Sequence, residues 1–388
     1  MSFELLGQDG AARRGRLTTP HGVVETPAFM PVGTQGAVKS LTPRDLREVG
    51  AEIVLANTYH LYLRPGPTVV HELGGLHRFM GWDGPILTDS GGYQVWSLAA
   101  LRTVSEDGVR FRSHLDGGTE HLLTPELAIA VQHDLGADIV HPLDECLPHP
   151  VGRTETEASM RRTLRWARRA RVAHAAGVRP GQACFGIVQG GMYRDLRRAS
   201  VEETCALGFD GYALGGFAVG EPPGLMVELV GETAAGLPVS QPRYLMGVGR
   251  PTDLIEAVAA GVDLFDCVLP TRHARTGQLF TRRGPLVIKH AGHARDGRPL
   301  DEGCPCYTCR QFSRAYLRHL FLARELTVYR LLTLHNLTFY LGLLAELRAA
   351  VAGGRFARFR RDILDAYAAA DAETVTVPVD VPAEEGLS

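Results

Sequence analysis

The chain has 388 residues, enough for one large domain with a subdomain or for two to three ordinary domains. Hydrophobic residues make up 45% and charged residues 22%, which excludes a disordered or fibrous chain. A net charge of −2 excludes nucleic-acid binding by overall charge, so an RNA partner must be held by local basic patches.

No apolar run reaches the roughly 18 residues that a membrane span needs. The start, Met1-Ser-Phe-Glu, lacks the basic and apolar regions of a secretion signal, so a cytoplasmic location is expected. Of seven cysteines, three crowd into Cys304-Pro-Cys306-Tyr-Thr-Cys309, which suits a reducing compartment with a metal site better than a disulfide framework.

In chain order, apolar runs predict eight strands, at 29–33, 53–57, 86–89, 139–144, 185–189, 212–216, 244–247 and 264–268. Helical stretches separate several of them, including 125–135, 155–176, 193–207 and 252–260. One phrase recurs between helix and strand: Gly50-Ala-Glu-Ile, Gly136-Ala-Asp-Ile and Gly261-Val-Asp-Leu, with a weaker copy at Gly208-Phe-Asp. It reads as a helix stopped by a left-handed glycine and feeding a buried strand. Repeated units of this kind predict an α/β fold, a (β/α)8 TIM barrel over 1–275 with N-terminal and mouth insertions. An open, doubly wound sheet is the alternative.

Polar residues or glycines end these runs: Asn57, Asp89, Asp144, Gln189, Gly216, Gly247 and Asp266. In a barrel such ends converge on one mouth, where active sites sit. Two long excursions, 58–84 and 90–124, are expected to shape that mouth, the second through a hairpin over 109–115 closed by Asp116-Gly-Gly. A second hairpin is expected at 277–289. A C-terminal zinc-binding subdomain is expected over 276–370, and an acidic, flexible tail over 371–388.

Cys304, Cys306 and Cys309 are followed by His335 in a helical run. Three thiolates and an imidazole at this spacing match a closed four-ligand zinc site. Four protein ligands leave no open position, so one structural Zn2+ per subunit is expected. Asp89 in Thr88-Asp-Ser-Gly-Gly-Tyr-Gln94 and Asp266 in Phe265-Asp-Cys-Val-Leu-Pro-Thr-Arg272 form a second constellation. Two carboxylates at one mouth can divide labour as nucleophile and general acid/base, as in retaining glycosyl transfer.

Together with Gly186-Ile-Val-Gln-Gly-Gly191 and Gly215-Gly-Phe-Ala-Val-Gly-Glu221, these stretches closely resemble bacterial tRNA-guanine transglycosylases, also called queuine tRNA-ribosyltransferases. The resemblance runs from about Pro27 to His335. It implies that Asp266 attacks C1′ of guanosine 34 in GUN-type tRNAs and expels guanine, with Asp89 as general acid/base. A deazaguanine then takes the ribose back, in queuosine biosynthesis. It also implies base contacts from Ser90, Asp144, Cys146, Gln189, Gly215, Gly216 and Phe217, with Tyr93 and Met246 sandwiching the ring. Cys146 and Val219 match the bacterial pocket, which favours 7-aminomethyl-7-deazaguanine (preQ1) over queuine. The implied partners are a U-G-U anticodon loop and a second copy of the chain.

Three positions depart from the family pattern: Phe217 replaces leucine, and His273 and Thr276 replace asparagines. Candidate RNA contacts are Arg272, Arg275, Arg282, Arg283 and Lys289, with a basic stripe at Arg310, Arg314 and Arg318. Arg161, Arg162, Arg165, Arg168 and Arg169 are read instead as the solvated face of a helix. The competing functions are a non-catalytic RNA-binding subunit and a zinc hydrolase or deaminase. The two intact aspartate motifs argue against the first. The absence of His-x-Glu with Pro-Cys-x-x-Cys argues against the second.

Overall fold

A computed structural model describes residues 1–98, 102–113 and 116–375. Among these residues the eight predicted strand positions join in one parallel sheet that closes on itself. Closure happens at Pro31, which cannot donate to a ladder and divides the first strand into two pieces. Ala28–Met30 pairs with Leu264–Asp266, and Val32–Gly33 pairs with Val54–Ala56. The remaining neighbours run in sequence order through Ile86–Thr88, Ile139–Val140, Ala183–Val188, Gly211–Leu214 and Arg243–Leu245. The sheet is therefore a barrel, and the open alternative is excluded.

Side chains alternate across each strand. Leu55, Leu87, Ile139, Phe185, Ile187, Ala213, Tyr244 and Leu264 fill the interior as one cluster. Val54, Ile86, Val140, Cys184, Val188, Leu214, Leu245 and Phe265 face outward against the helices. Removing a buried ring such as Phe185 from this close-packed interior would cost about 3–5 kcal/mol.

The recurring glycine–acid phrase has a structural cause. Gly50, Gly136, Gly208 and Gly261 all adopt positive φ, which ends the preceding helix. The acids that follow accept hydrogen bonds from backbone N–H groups on neighbouring chain segments. Asp138 takes the Ile86 N–H, Asp210 that of Cys184, Asp263 that of Arg243 and Glu52 that of Glu25. The N–H groups of Ile86, Cys184 and Arg243 lie at or next to a strand start, where a ladder leaves them unpaired, and that of Glu25 lies near the end of its strand.

The N-terminal residues form an antiparallel sheet, Ser2–Asp9, Ala12–Thr19 and Gly22–Thr26, absent from the predicted elements. Leu17 and Val24 enter the barrel cluster, and His21 bonds Asp138 just ahead of its strand. This sheet thus covers the end opposite the mouth. At the mouth, Arg102–Val104, Val109–Arg112 and Glu120–Leu123 form an antiparallel sheet. Residues 114–115 of the predicted hairpin lie outside the described residues.

Beyond the barrel come the predicted hairpin, Gln278–Thr281 with Gly284–Val287, and the helices Tyr307–Gln311, Arg314–Leu322 and Leu326–Ala352. A further helix, Phe356–Val375, runs five residues into the expected tail; residues 376–388 lie outside the described residues. Among the described residues no helix is long and apolar enough to cross a membrane.

Candidate active site and metal centre

The alternation that fills the barrel also selects what reaches its mouth. Interior positions 55, 87, 187, 213 and 264 continue to Asn57, Asp89, Gln189, Gly215 and Asp266, two residues further on. Three carboxylates are brought there, and each has its own set of donors.

Asp89 is 8% exposed. One oxygen accepts from the Thr58 N–H at 2.9 Å, and the other from the Asn57 and Gln94 amides. Burial raises its pKa from 3.8 to about 6; these donors pull it down, and the charge of Asp266 pushes it up. Asp266 accepts from the Tyr244 hydroxyl at 2.6 Å and the Gly247 N–H at 2.7 Å. Burial raises its pKa too, against the pull of both donors. Tyr244 feels the charge of both aspartates, so the two acids share one neighbourhood. Two desolvated carboxyls in one neighbourhood, one poised near neutrality and the other hydrogen-bonded by two donors, can divide the work of acid/base and nucleophile.

The third carboxylate, Asp144, is clamped by the Ser90 hydroxyl at 2.7 Å and the Gln189 amide at 2.8 Å. Glycines are required around this clamp. A Cβ at Gly92 would meet the Asp144 carbonyl at 2.4 Å, and one at Gly216 would meet the Gln189 Oε1 at 2.5 Å. A cavity of about 320 Å3 runs from Gly92, Asp144 and Cys146 beneath Trp96 and Val109. Tyr93 stands half-exposed beside it, within the field of Cys146, Cys267 and Arg272. Met246 is partly buried at the end of its strand. A larger cavity, about 390 Å3, lies between Cys304 and Tyr367, beside the metal cluster rather than these acids.

Cys304, Cys306, Cys309 and His335 converge, their ligand atoms all within 4.8 Å of one another. The three sulfurs lie 3.7, 3.8 and 3.3 Å from His335 Nδ1. His335 Nε2 sits 2.9 Å from the Phe280 carbonyl, which fixes the proton there and leaves Nδ1 free for a cation. Donor set and spacing fit a tetrahedral metal. The next residue, Asn336, donates to the Pro270 and Gln278 carbonyls and accepts from the Phe280 N–H. That couples the cluster to the helix Leu269–Thr276, which follows the Asp266 strand.

The basic candidates divide. Arg272 and Arg283 are exposed, and Lys289 lies over the Phe321 ring. Arg275 donates to the Thr271 carbonyl, and Arg282 pairs with Glu346. Arg314 is tied to Asp296 and to the Pro299 and Leu300 carbonyls, and Arg318 to two more carbonyls. Arg161, Arg162, Arg165 and Arg169 pair with Glu203, Glu145, Glu106 and Glu126, as a solvated face would. His273 stacks on Phe280, and the Thr276 hydroxyl donates to the His273 carbonyl. Neither the donors to the two aspartates, Thr58, Gln94 and Tyr244, nor the buried Arg197 were identified from sequence. Tyr244 starts the predicted strand at 244–247 and Gln94 ends the Asp89 motif, but nothing in either stretch marks a hydrogen-bond partner.

The family model for queuine tRNA-ribosyltransferase matches residues 9–369. The queuine tRNA-ribosyltransferase of Solidesulfovibrio magneticus is 58% identical over 94% of this chain and 98% of that relative. The relative of the same name in Nitratidesulfovibrio vulgaris is 55% identical over 94% and 97%. The one in Symbiobacterium thermophilum is 56% identical over 96% and 92%. On this match the chain belongs to the queuine tRNA-ribosyltransferase family and is a pentosyltransferase.

Proposed function

We propose that the chain is a tRNA-guanine transglycosylase that exchanges guanine 34 of GUN-type tRNAs for preQ1, by double displacement. Asp266 attacks C1′ of the nucleotide, the bond to guanine breaks with its electron pair leaving on the base, and an aspartyl-ribose ester forms. The incoming base then displaces Asp266 and restores the original configuration. Asp89 gives the departing base its proton and takes one from the arriving base. The observation that carries this reading is the pair of desolvated aspartates around Tyr244, next to the Asp144–Gln189–Gly216 clamp. A flipped base needs such a surface: polar groups for its edges and an aromatic face for its ring.

In this reading Ser90, Tyr93, Cys146, Gly215, Phe217 and Met246 complete the base pocket, and Arg272, Arg275, Arg282, Arg283 and Lys289 meet the RNA. Zinc, held by Cys304, Cys306, Cys309 and His335, has a structural role and takes no part in the exchange. Cytoplasmic location and a homodimer belong to the same proposal.

The test is incorporation of labelled guanine into a U-G-U anticodon stem-loop, with preQ1 and queuine as competitors. Wild type should incorporate label, preQ1 should compete better than queuine, and Asp266→Ala should incorporate none. Normal incorporation by Asp266→Ala would overturn the nucleophile assignment. Tight RNA binding by wild type without exchange would favour the non-catalytic reading.

A further inference from the structure

Arg197, on the helix Arg194–Ala206, is 2% exposed. Among the described residues its hydrogen bonds all go to main-chain carbonyls. Nε donates to Gly191 at 2.6 Å, both terminal nitrogens donate to Gly215 at 3.2 Å, and one also reaches Gly216 at 3.3 Å. Its guanidinium lies 3.7 Å from the centre of the Phe217 ring. Burial lowers its pKa to about 9, so it stays charged at neutral pH. No carboxylate is bonded to it, and the charge of Glu221 only partly offsets its burial, so holding this cation in place is expensive.

The direction of that action follows from peptide geometry. The bonds joining Gly215, Gly216 and Phe217 are trans, so each carbonyl opposes the N–H across its peptide. Carbonyls drawn onto Arg197 turn the N–H groups of Gly216 and Phe217 the other way. The Gly216 N–H indeed meets the thiol of Cys146, a residue that lines the same cavity as Asp144. A cation bonded to the carbonyl side also polarises the peptide and strengthens its N–H as a donor.

We infer that Arg197 is a positioning residue that aims and strengthens the Gly216 backbone donor toward the 6-oxo oxygen of the bound purine. The inference rests on the transglycosylase reading. As the glycosidic bond breaks, the departing base carries negative charge that its 6-oxo group shares. A preorganised N–H aimed at that oxygen stabilises the charge as an oxyanion hole does. Phe217 supplies an aromatic face for the guanidinium, which an aliphatic residue at this position would not.

The experiment measures inhibition of guanine exchange by 7-deazapurine ligands that differ in the 6-oxo group and the N1 proton that goes with it. 7-Deazaguanine carries the 6-oxo group, and 2-amino-7-deazapurine lacks it. For each enzyme the readout is the ratio of the two inhibition constants. Arg197→Met should shrink the wild-type preference for the oxo ligand roughly tenfold or more. Arg197→Lys, which keeps the charge but not the fork, should fall between. Zinc content and thermal midpoint are recorded for both variants. Equal weakening of both ligands, or an unchanged ratio, would overturn the inference. If Arg197→Met does not fold, an unchanged ratio in Arg197→Lys decides against it. Failure of wild type to exchange guanine at all would sink the transglycosylase reading instead, a separate result.

Discussion

Replacing Asp89 with asparagine should stabilise the protein, and by an amount that grows with pH. The Asp89 carboxyl is buried, and its pKa stands at about 6 in the folded chain against an ordinary 3.8. The folded state therefore holds a proton that the unfolded state releases between these values. That contribution to stability is complete below pH 3.8 and is lost as pH rises through 6. At about 1.4 kcal/mol per tenfold change in proton affinity, the total is about 3 kcal/mol, of which roughly half falls between pH 5 and pH 8.

Asparagine never ionises and so escapes this loss. Its oxygen can keep the Thr58 N–H, while flipped Asn57 and Gln94 amides can accept from its NH2. The assay is denaturant unfolding of wild type and Asp89→Asn from pH 5 to pH 8, with guanine exchange measured in parallel. The variant should gain on wild type by about 1 to 2 kcal/mol across that range while exchange falls at least a hundredfold. Parallel stability curves would refute the claim that burial holds this carboxyl near neutrality.

Three further outcomes are expected. Gly216→Ala should raise the KM for the incoming base at least tenfold, because its Cβ would strike the Gln189 Oε1 at 2.5 Å from a φ of +71°; an unchanged KM would count against the clamp. If the cluster holds its metal as proposed, His335→Ala should lower metal content per chain to near zero by plasma emission spectrometry, and loosen the contact through Asn336 to Pro270. Arg272→Ala should weaken binding of the stem-loop and reduce its salt dependence, whereas Arg165→Ala, already paired with Glu106, should change neither.

The barrel was legible because its strands are short apolar runs, four of them announced by a glycine that stops a helix. The same phrase carries the acid that caps a neighbouring backbone segment, a function visible only once Asp138 and Ile86 are adjacent. The N-terminal sheet escaped notice since Arg13, Arg14 and Arg16 break its apolar pattern. Arg13 is nevertheless fully buried, against Asp263 across the fold. The convergence of Asp89, Asp144, Gln189 and Asp266 followed from polar residues ending apolar strands. What sequence could not supply was pairing over distance. Arg282 reads as a free cation until Glu346, 64 residues away, is found beside it. Arg197 sits in an ordinary helix, and only the closed barrel sets it behind the Gly215–Gly216 peptides.

The account turns on a bond between Asp266 and a ribose. Intact-mass and peptide mapping of the protein, trapped with an anticodon stem-loop and a base analogue, tests it directly. The predicted result is a protein–RNA adduct, one per active site, localised to Asp266 and absent from Asp266→Ala. Exchange proceeding without an adduct, or with one mapped to Asp89 or Asp144, would contradict the account.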